Sequence, residues 1–252
     1  MKGKGATTMR KSVSSRQPAV PVLGVSRKSR AAESDTNQIR RKISQAVKRM
    51  EVFDSHAVSE FLSLRQQREV DQYDEVWEGV YIVPPLAQNP HQDVVIGLSV
   101  VLFNIVQLEG RGRVHPGANV SDRRANWVYN YRCPDVVVVL KEGRAIDCGT
   151  HWMGGPDFLV EVESPEDQII RKIPFYSKIH VRELLIIHGE TRHLQLHRHD
   201  GQQLAPVEPS DFKGSKWLTS KVLPLAFRRK VIRKQPLTEI QRTDDVPGHW
   251  TV

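Results

Sequence analysis

Apolar residues change their spacing along this chain, and each change predicts a different element. In "NPHQDVVIGLSVVLFNIVQ" (Asn89 to Gln107), Val94, Val95, Leu98, Val101, Leu102 and Ile105 recur at the spacing of one helix face, with Asn89 placed to cap. Val136–Leu140 is a continuous apolar run, and "FLVEV" from Phe158 is another, broken by Glu161. Runs of that length fit strands covered on both faces. Val76, Val80 and Ile82 predict extended structure around a turn at Gly79, ended by Pro84-Pro85. "VRELLIIH" and "RHLQLHRH" predict a hairpin around Gly189-Glu190, and a last strand is expected within "VLPLAFRRKVI". Upstream, Ile39, Ile43, Ala46, Val47 and Met50 predict a helix over 36–50, and a second one starts at Asp54 or Ser55 with Val58, Phe61, Leu62 and Leu64 as its apolar side. Ser164-Pro165-Glu166-Asp167 is a helix start, with Ser as cap and Pro at the first helical position. Pro174 then falls inside that helix, where it is expected to kink it and free the Ile170 carbonyl.

These elements sum to an α/β (α+β) domain with a mixed sheet inside and helices outside. Residues 1–35 are rich in Lys, Arg, Ser, Gly and Ala without apolar periodicity, so they are expected to form a disordered basic tail. A helical N-terminal segment over 36–70, the main domain over 71–242 and a frayed C-terminus over 243–252 complete the expected division. Met50 opens the first strongly patterned stretch and is a candidate translation start.

Charge sharpens this division. The chain carries 37 Lys+Arg and 29 Asp+Glu, but 13 of the basic residues and 2 of the acidic ones lie in residues 1–50. The tail is therefore suited to non-specific phosphate contact, while the near-neutral body has no overall electrostatic footprint for nucleic acid. Arg228, Arg229, Lys230, Arg233 and Lys234 form a basic run that reads first as a solvated edge strand guarding against edge pairing and second as a phosphate-contacting patch. Cys133 and Cys148 fit neither a zinc pattern nor a disulfide framework, so free thiols in a reducing cytoplasm are expected. No secretory signal and no run of eighteen apolar residues is visible, so no membrane partner is expected.

The candidate chemistry lies at two strand ends. Asp135 precedes one apolar run, and Glu161 and Glu163 share a face of the next. If those strands pair, Asp135 and Glu161 can share a hard cation such as Mg²⁺ or Mn²⁺, with the Val162 carbonyl pointing into the same place. Pro156-Asp157 repeats the Pro-Asp dipeptide of Pro134-Asp135, but Asp157 lies about 13 Å from Glu161 along an extended chain and reads as a turn residue. A phosphodiester-cutting site of this kind also wants a lysine two residues after the second acid, where Glu163 stands instead. His193, His197 and His199 share parity on one strand, which suits a transition metal or an ordinary polar face.

The pieces "YDEVWEGVYIVPP", "NPHQDVVIGL", "YRCPDVVVV", "GPDFLVEVESPEDQIIRKIPFY" and "HVRELLII", in this order and spacing, resemble the Uma-two family of the PD-(D/E)XK nuclease superfamily. The resemblance implies a restriction-endonuclease-like core, a mixed sheet flanked by helices. It also implies that the lysine is displaced onto the next helix in a D-x(4)-K-x(3)-Y arrangement, here Asp167, Lys172 and Tyr176. On that pattern Asp135 and Glu161 are metal ligands, Glu75 is a third acid holding ion or water, and Lys172 stabilises charge or orients water. The implied activity is metal-dependent endonucleolytic hydrolysis of DNA. The alternative is a catalytically degenerate nuclease fold that binds nucleic acid or a protein. Nucleases on this fold often act as dimers, which leaves a homodimer open.

Overall fold

The valine run and the strand that carries Glu161 lie side by side, buried on both faces, and the rest of the molecule is arranged around them. The computed structural model describes residues 50–52, 60–61, 63–65, 67–69, 71–164 and 169–252. Strands β1 (Met50–Val52), β2 (Glu75–Trp77) and β3 (Val80–Val83) come first, then helix α1 (Asn89–Leu102), which continues as a π-helical turn over Phe103–Leu108. Next come β4 (Gly112–Pro116), β5 (Val120–Ser121), β6 (Tyr131–Arg132), β7 (Val136–Leu140), β8 (Ile146–Asp147), β9 (Trp152–Met153) and β10 (Phe158–Glu163). A 3-10 turn, Ile169–Arg171, leads into α2 (Ile173–Lys178), followed by β11 (Glu183–His188), β12 (Leu194–His199) and β13 (Leu204–Pro206). Finally β14 (Ser210–Phe212), β15 (Ser215–Thr219), β16 (Leu225–Ile232), β17 (Gln235–Arg242) and β18 (His249–Thr251) form a C-terminal sheet.

The central six-stranded sheet has the order β13-β12-β11-β10-β7-β4. Its β10 and β11 run parallel, joined through α2, and its other neighbours are antiparallel. Strand alternation sends Val136, Val138, Phe158, Val160 and Val162 to one face, where α1 and the C-terminal sheet's Leu225, Phe227 and Ile240 cover them. Val137, Val139, Leu159, Leu184 and Ile186 point the other way, onto Ile169, Phe175 and Tyr176. Coverage on both faces is why these strands read as unbroken apolar runs. A second sheet, β1-β3-β2-β6-β5-β9-β8, brings β2 and its Glu75 beside the central one.

The mixed sheet with flanking helices matches the expected class, and several details correct the expectations. The helix predicted over 36–50 lies outside the described residues except Met50, which opens β1 instead; the tail over 1–35 also lies outside them. Gln88, not Asn89, is the N-cap of α1, without a side-chain cap bond. The helix from Asn89 to Leu108 is 20 residues long and apolar enough to span a membrane by length and composition alone. Here its Val94, Leu98, Leu102, Ile105 and Val106 are packed in the core. Pro174 does not kink a helix. The helix begins at Ile173, so Pro174 falls in its first turn, where a missing N–H costs nothing. The stretch expected to fray pairs as β18 with β17. The basic strand β16 pairs with β17 along its whole length but with β15 only at Ala226 and Phe227, so its basic part from Arg228 is an open edge, as expected.

Candidate functional site

Both Pro-Asp dipeptides clamp the β7–β10 pair, one at each end. Proline has no N–H for the ladder, so the aspartate beside it takes over. At one end the Leu140 N–H donates to Asp157 Oδ2 at 2.8 Å; at the other the Val162 N–H donates to Asp135 Oδ2 at 2.7 Å. Asp157 then meets Arg182 at 2.8 Å and is buried as a structural anchor. Asp135 keeps more company. His91, near the start of α1, places Nε2 3.0 Å from Asp135 Oδ1, and its Nδ1 lies 3.2 Å from the Ser164 hydroxyl.

Glu161 projects from the middle of β10 towards α2. Lys172 and Tyr176 stand one helical turn apart at the start of α2, so both face it. Lys172 Nζ lies 3.1 Å from Glu161 Oε1, and the Tyr176 hydroxyl donates to the same oxygen at 2.6 Å. Glu75 reaches in from β2: Lys172 Nζ is 2.9 Å from its Oε1, the Cys133 N–H donates to Oε1 at 2.8 Å, and the Trp77 indole donates to Oε2 at 2.6 Å. The structure thus brings Glu75, Asp135, Glu161 and Lys172 together around one cavity of about 580 Å³. Glu163 ends β10 and does not line that cavity; Asp167 lies outside the described residues. The Val162 N–H and carbonyl leave the strand on the same side, towards Asp135.

Burial pushes the Glu161 carboxyl above the ordinary carboxylate range; Lys172 pulls it back, while the charges of Asp135 and Glu75 push it further up. Burial, with the nearby carboxylates, also raises the Tyr176 hydroxyl well above its usual value, so it stays a donor. Cys133 is a free buried thiol pushed upward by desolvation and then by Glu75, a poor nucleophile. His197 and His199 bond locally to Gln195 and Ser177.

Sequence reasoning did not assign His91 to Asp135, nor Tyr176 to Glu161. It also missed Arg132, whose guanidinium is buried over the Trp77 and Phe175 rings at 4.9 and 4.2 Å and interacts electrostatically with Glu75. The only signals were the i, i+4 spacing of Lys172 and Tyr176 and a histidine early in a helix.

A family model described as "Putative restriction endonuclease" matches residues 58–231. Among solved structures, the crystal structure of a putative nuclease from Anabaena variabilis is similar at 17% identity and a TM-score of 0.44, over 55% of this chain and 78% of that one. No curated protein matches the sequence. The mixed α/β arrangement is the restriction-endonuclease-like one that the matched family implies. With its model spanning well over half of the residues, the chain belongs to the Uma2 family of putative restriction endonucleases.

Proposed function

We propose that the protein is a metal-dependent nuclease that hydrolyses DNA phosphodiester bonds in the cavity lined by Glu75, Asp135, Glu161 and Lys172. The carrying observation is the course of Lys172. Its side chain leaves the N-cap position of α2 and sets a buried ammonium between Glu161 and Glu75, in the cavity that Asp135 also lines. A displaced lysine beside two strand-borne acids supports the chemistry of the superfamily.

The donor set suits a hard cation. Glu75, Asp135 and Glu161 are among the carboxylates that line the cavity, and the Glu161 carboxyl is pushed upward by burial first and by the charges of Asp135 and Glu75 after it. Among the described residues, no group of three His, Cys, Asp or Glu is spaced to hold an ion as it stands. Asp135 and Glu161 would therefore hold Mg²⁺ or Mn²⁺ as a pair, with Glu75 as third acid and water in the remaining positions, as Mg²⁺ prefers. Bound there, the ion would supply Lewis acidity towards a phosphate oxygen and a more acidic water. The chain's own groups orient and neutralise. His91 and the Val162 N–H fix Asp135, Tyr176 fixes Glu161, and Lys172 offsets negative charge growing on the phosphate.

A second reading is a nuclease fold that binds without cutting. It is favoured by the closure of both Glu161 oxygens on Lys172 and Tyr176. Titrating Mn²⁺ into the full chain by calorimetry, with and without a duplex oligonucleotide, and assaying nicking of supercoiled plasmid separates the two. The nuclease reading expects binding and nicking, both abolished in Asp135→Asn with Glu161→Gln. Duplex binding without nicking in either Mg²⁺ or Mn²⁺ overturns it in favour of the second.

A further inference from the structure

The β16–β17 ribbon carries its charge where hairpin chemistry resists it. Three hairpins in the C-terminal and second sheets turn over two residues with both φ values positive. These are Glu78-Gly79, Lys213-Gly214 and Arg233-Lys234. Such turns favour Asn-Gly or a glycine at the second position because a Cβ is strained there. The first two comply. Arg233 and Lys234, at φ 50° and 68°, do not. The chain accepts backbone strain at this tip and places two cations on it.

From Arg228 onward β16 pairs with β17 alone, because β15 reaches only Ala226 and Phe227, so the strand part of the run guards an open edge, whereas the two cations of the turn lie beyond it. The members of the run divide by what they touch. Arg228 and Lys230 neutralise buried Glu239 at 2.5 and 2.7 Å. Arg229 donates from Nε to the Thr191 carbonyl at 2.7 Å, bracing the ribbon against the β11–β12 turn. Gly189 in that same turn donates its N–H to the Glu163 carbonyl at 2.8 Å, so the brace reaches, through the turn, the end of β10 at Glu163. Residues 231–235 are exposed, and Arg233 and Lys234 project from the end of a ladder of eight residue pairs.

We infer that the β16–β17 ribbon is an arm that contacts the phosphate backbone of duplex nucleic acid, with Arg233 and Lys234 as its tip contacts and Arg229 as its brace. A two-stranded ribbon is narrow enough to enter a major groove, and arginine and lysine are the side chains that neutralise phosphates on either side of it. The inference concerns binding and stands whether or not the cavity cuts.

The turn itself supplies the test. Arg233→Asn with Lys234→Gly removes both charges and installs the pair that the turn favours, so the melting temperature of the full chain should hold or rise. Duplex binding is followed by fluorescence anisotropy in chelator, across a salt series and on two unrelated sequences. The expected result is weakening by roughly tenfold or more on both sequences, with the slope of log affinity against log salt reduced by about 1.8. Lys213→Asn, at the tip of the β14–β15 hairpin, should leave the slope unchanged. An unaltered slope in the double variant overturns the inference, and so does an equal loss per charge from both hairpins. Failure of the wild type to bind duplex, or loss of binding only to phosphatidylserine vesicles, overturns it too. Lost duplex binding in the variant beside a wild type that binds but never nicks would sink the nuclease reading and leave the arm standing.

Discussion

Glu161 and Glu239 are the same residue type, each 3% exposed, and the protein treats them in opposite ways. Glu239 lies in the C-terminal sheet with Arg228, Lys230 and His249 around it. Although burial resists, hydrogen bonds from Lys230, Arg228 and His249 hold its carboxyl at about 2. Glu161 lies in the central sheet, shares Lys172 with Glu75, and is pushed upward by burial and by the neighbouring acids. A buried carboxylate whose partners outnumber it serves the fold. One left with surplus like charge costs stability, and that cost is the mark of a site built for something else.

The sharpest way to break this contrast is to remove Lys172. Lys172→Met leaves Glu161 and Glu75 buried without their shared ammonium, and the expected loss in urea denaturation is roughly 3–5 kcal/mol. Glu161→Gln should do the reverse and raise stability, because it removes surplus charge while keeping the shape. The double variant should recover most of the loss. If Glu161→Gln destabilises as strongly as Lys172→Met, Glu161 is a structural ion-pair partner and the contrast fails.

His91→Ala is expected to act mainly on activity. It frees Asp135 from one of its two fixings, so nicking should fall about 10- to 100-fold, as for residues that orient a metal ligand. Stability should change by no more than about 1 kcal/mol. A stability loss without an activity loss would make His91 an ordinary packing residue.

Glu239→Gln is expected to cost about 1–3 kcal/mol, the worth of charged hydrogen bonds to a buried acceptor. The two glutamates should also differ in pH dependence. The depressed Glu239 contributes stability that is fully present above its ordinary value of 4.5 and is lost as pH falls from there towards about 2. The raised Glu161 acts oppositely: above 4.5 the unfolded chain releases a proton that the folded one keeps, so stability falls as pH rises. Stability measured against pH should lose its low-pH limb in Glu239→Gln and its decline above 4.5 in Glu161→Gln.

How legible these regions were follows from their patterns. The central sheet was legible because it is covered on both faces, and Val136–Leu140 and Phe158–Glu163 fall where the apolar runs lie. Most of the C-terminal sheet was not. β14, β17 and β18 read "SDF", "QPLTEIQR" and "HWT", with little alternation and a Pro236 that argues against a strand; pairing with β15, β16 and β17 respectively makes them strands. The two Pro-Asp dipeptides are locally identical. Distance from Glu161 along the strand separated them in the sequence, but their remote partners, Arg182 for Asp157 and His91 for Asp135, were out of its reach. The His91–Asp135 pair spans 44 residues, beyond any local spacing rule. Lys172 was placed by family resemblance, because its own spacing marks it only as a helix lysine.

The smallest expected effect lies at His249, and it tests whether partner number is what separates the two glutamates. Its Nε2 stands 2.7 Å from Glu239 Oε1, the oxygen that also takes Lys230, and its side chain is 51% exposed. His249→Ala leaves Arg228 on Oε2 and Lys230 on Oε1, so the carboxylate keeps a donor on each oxygen. An exposed pair with a redundant partner is worth little, so the loss should be under about 0.5 kcal/mol, and the low-pH limb should persist. If His249→Ala instead costs as much as Glu239→Gln, the three partners act as one network that fails when any member is removed. Glu239 would then be as finely balanced as Glu161, and the difference between them would lie in the sign of the surrounding charge rather than in the number of partners.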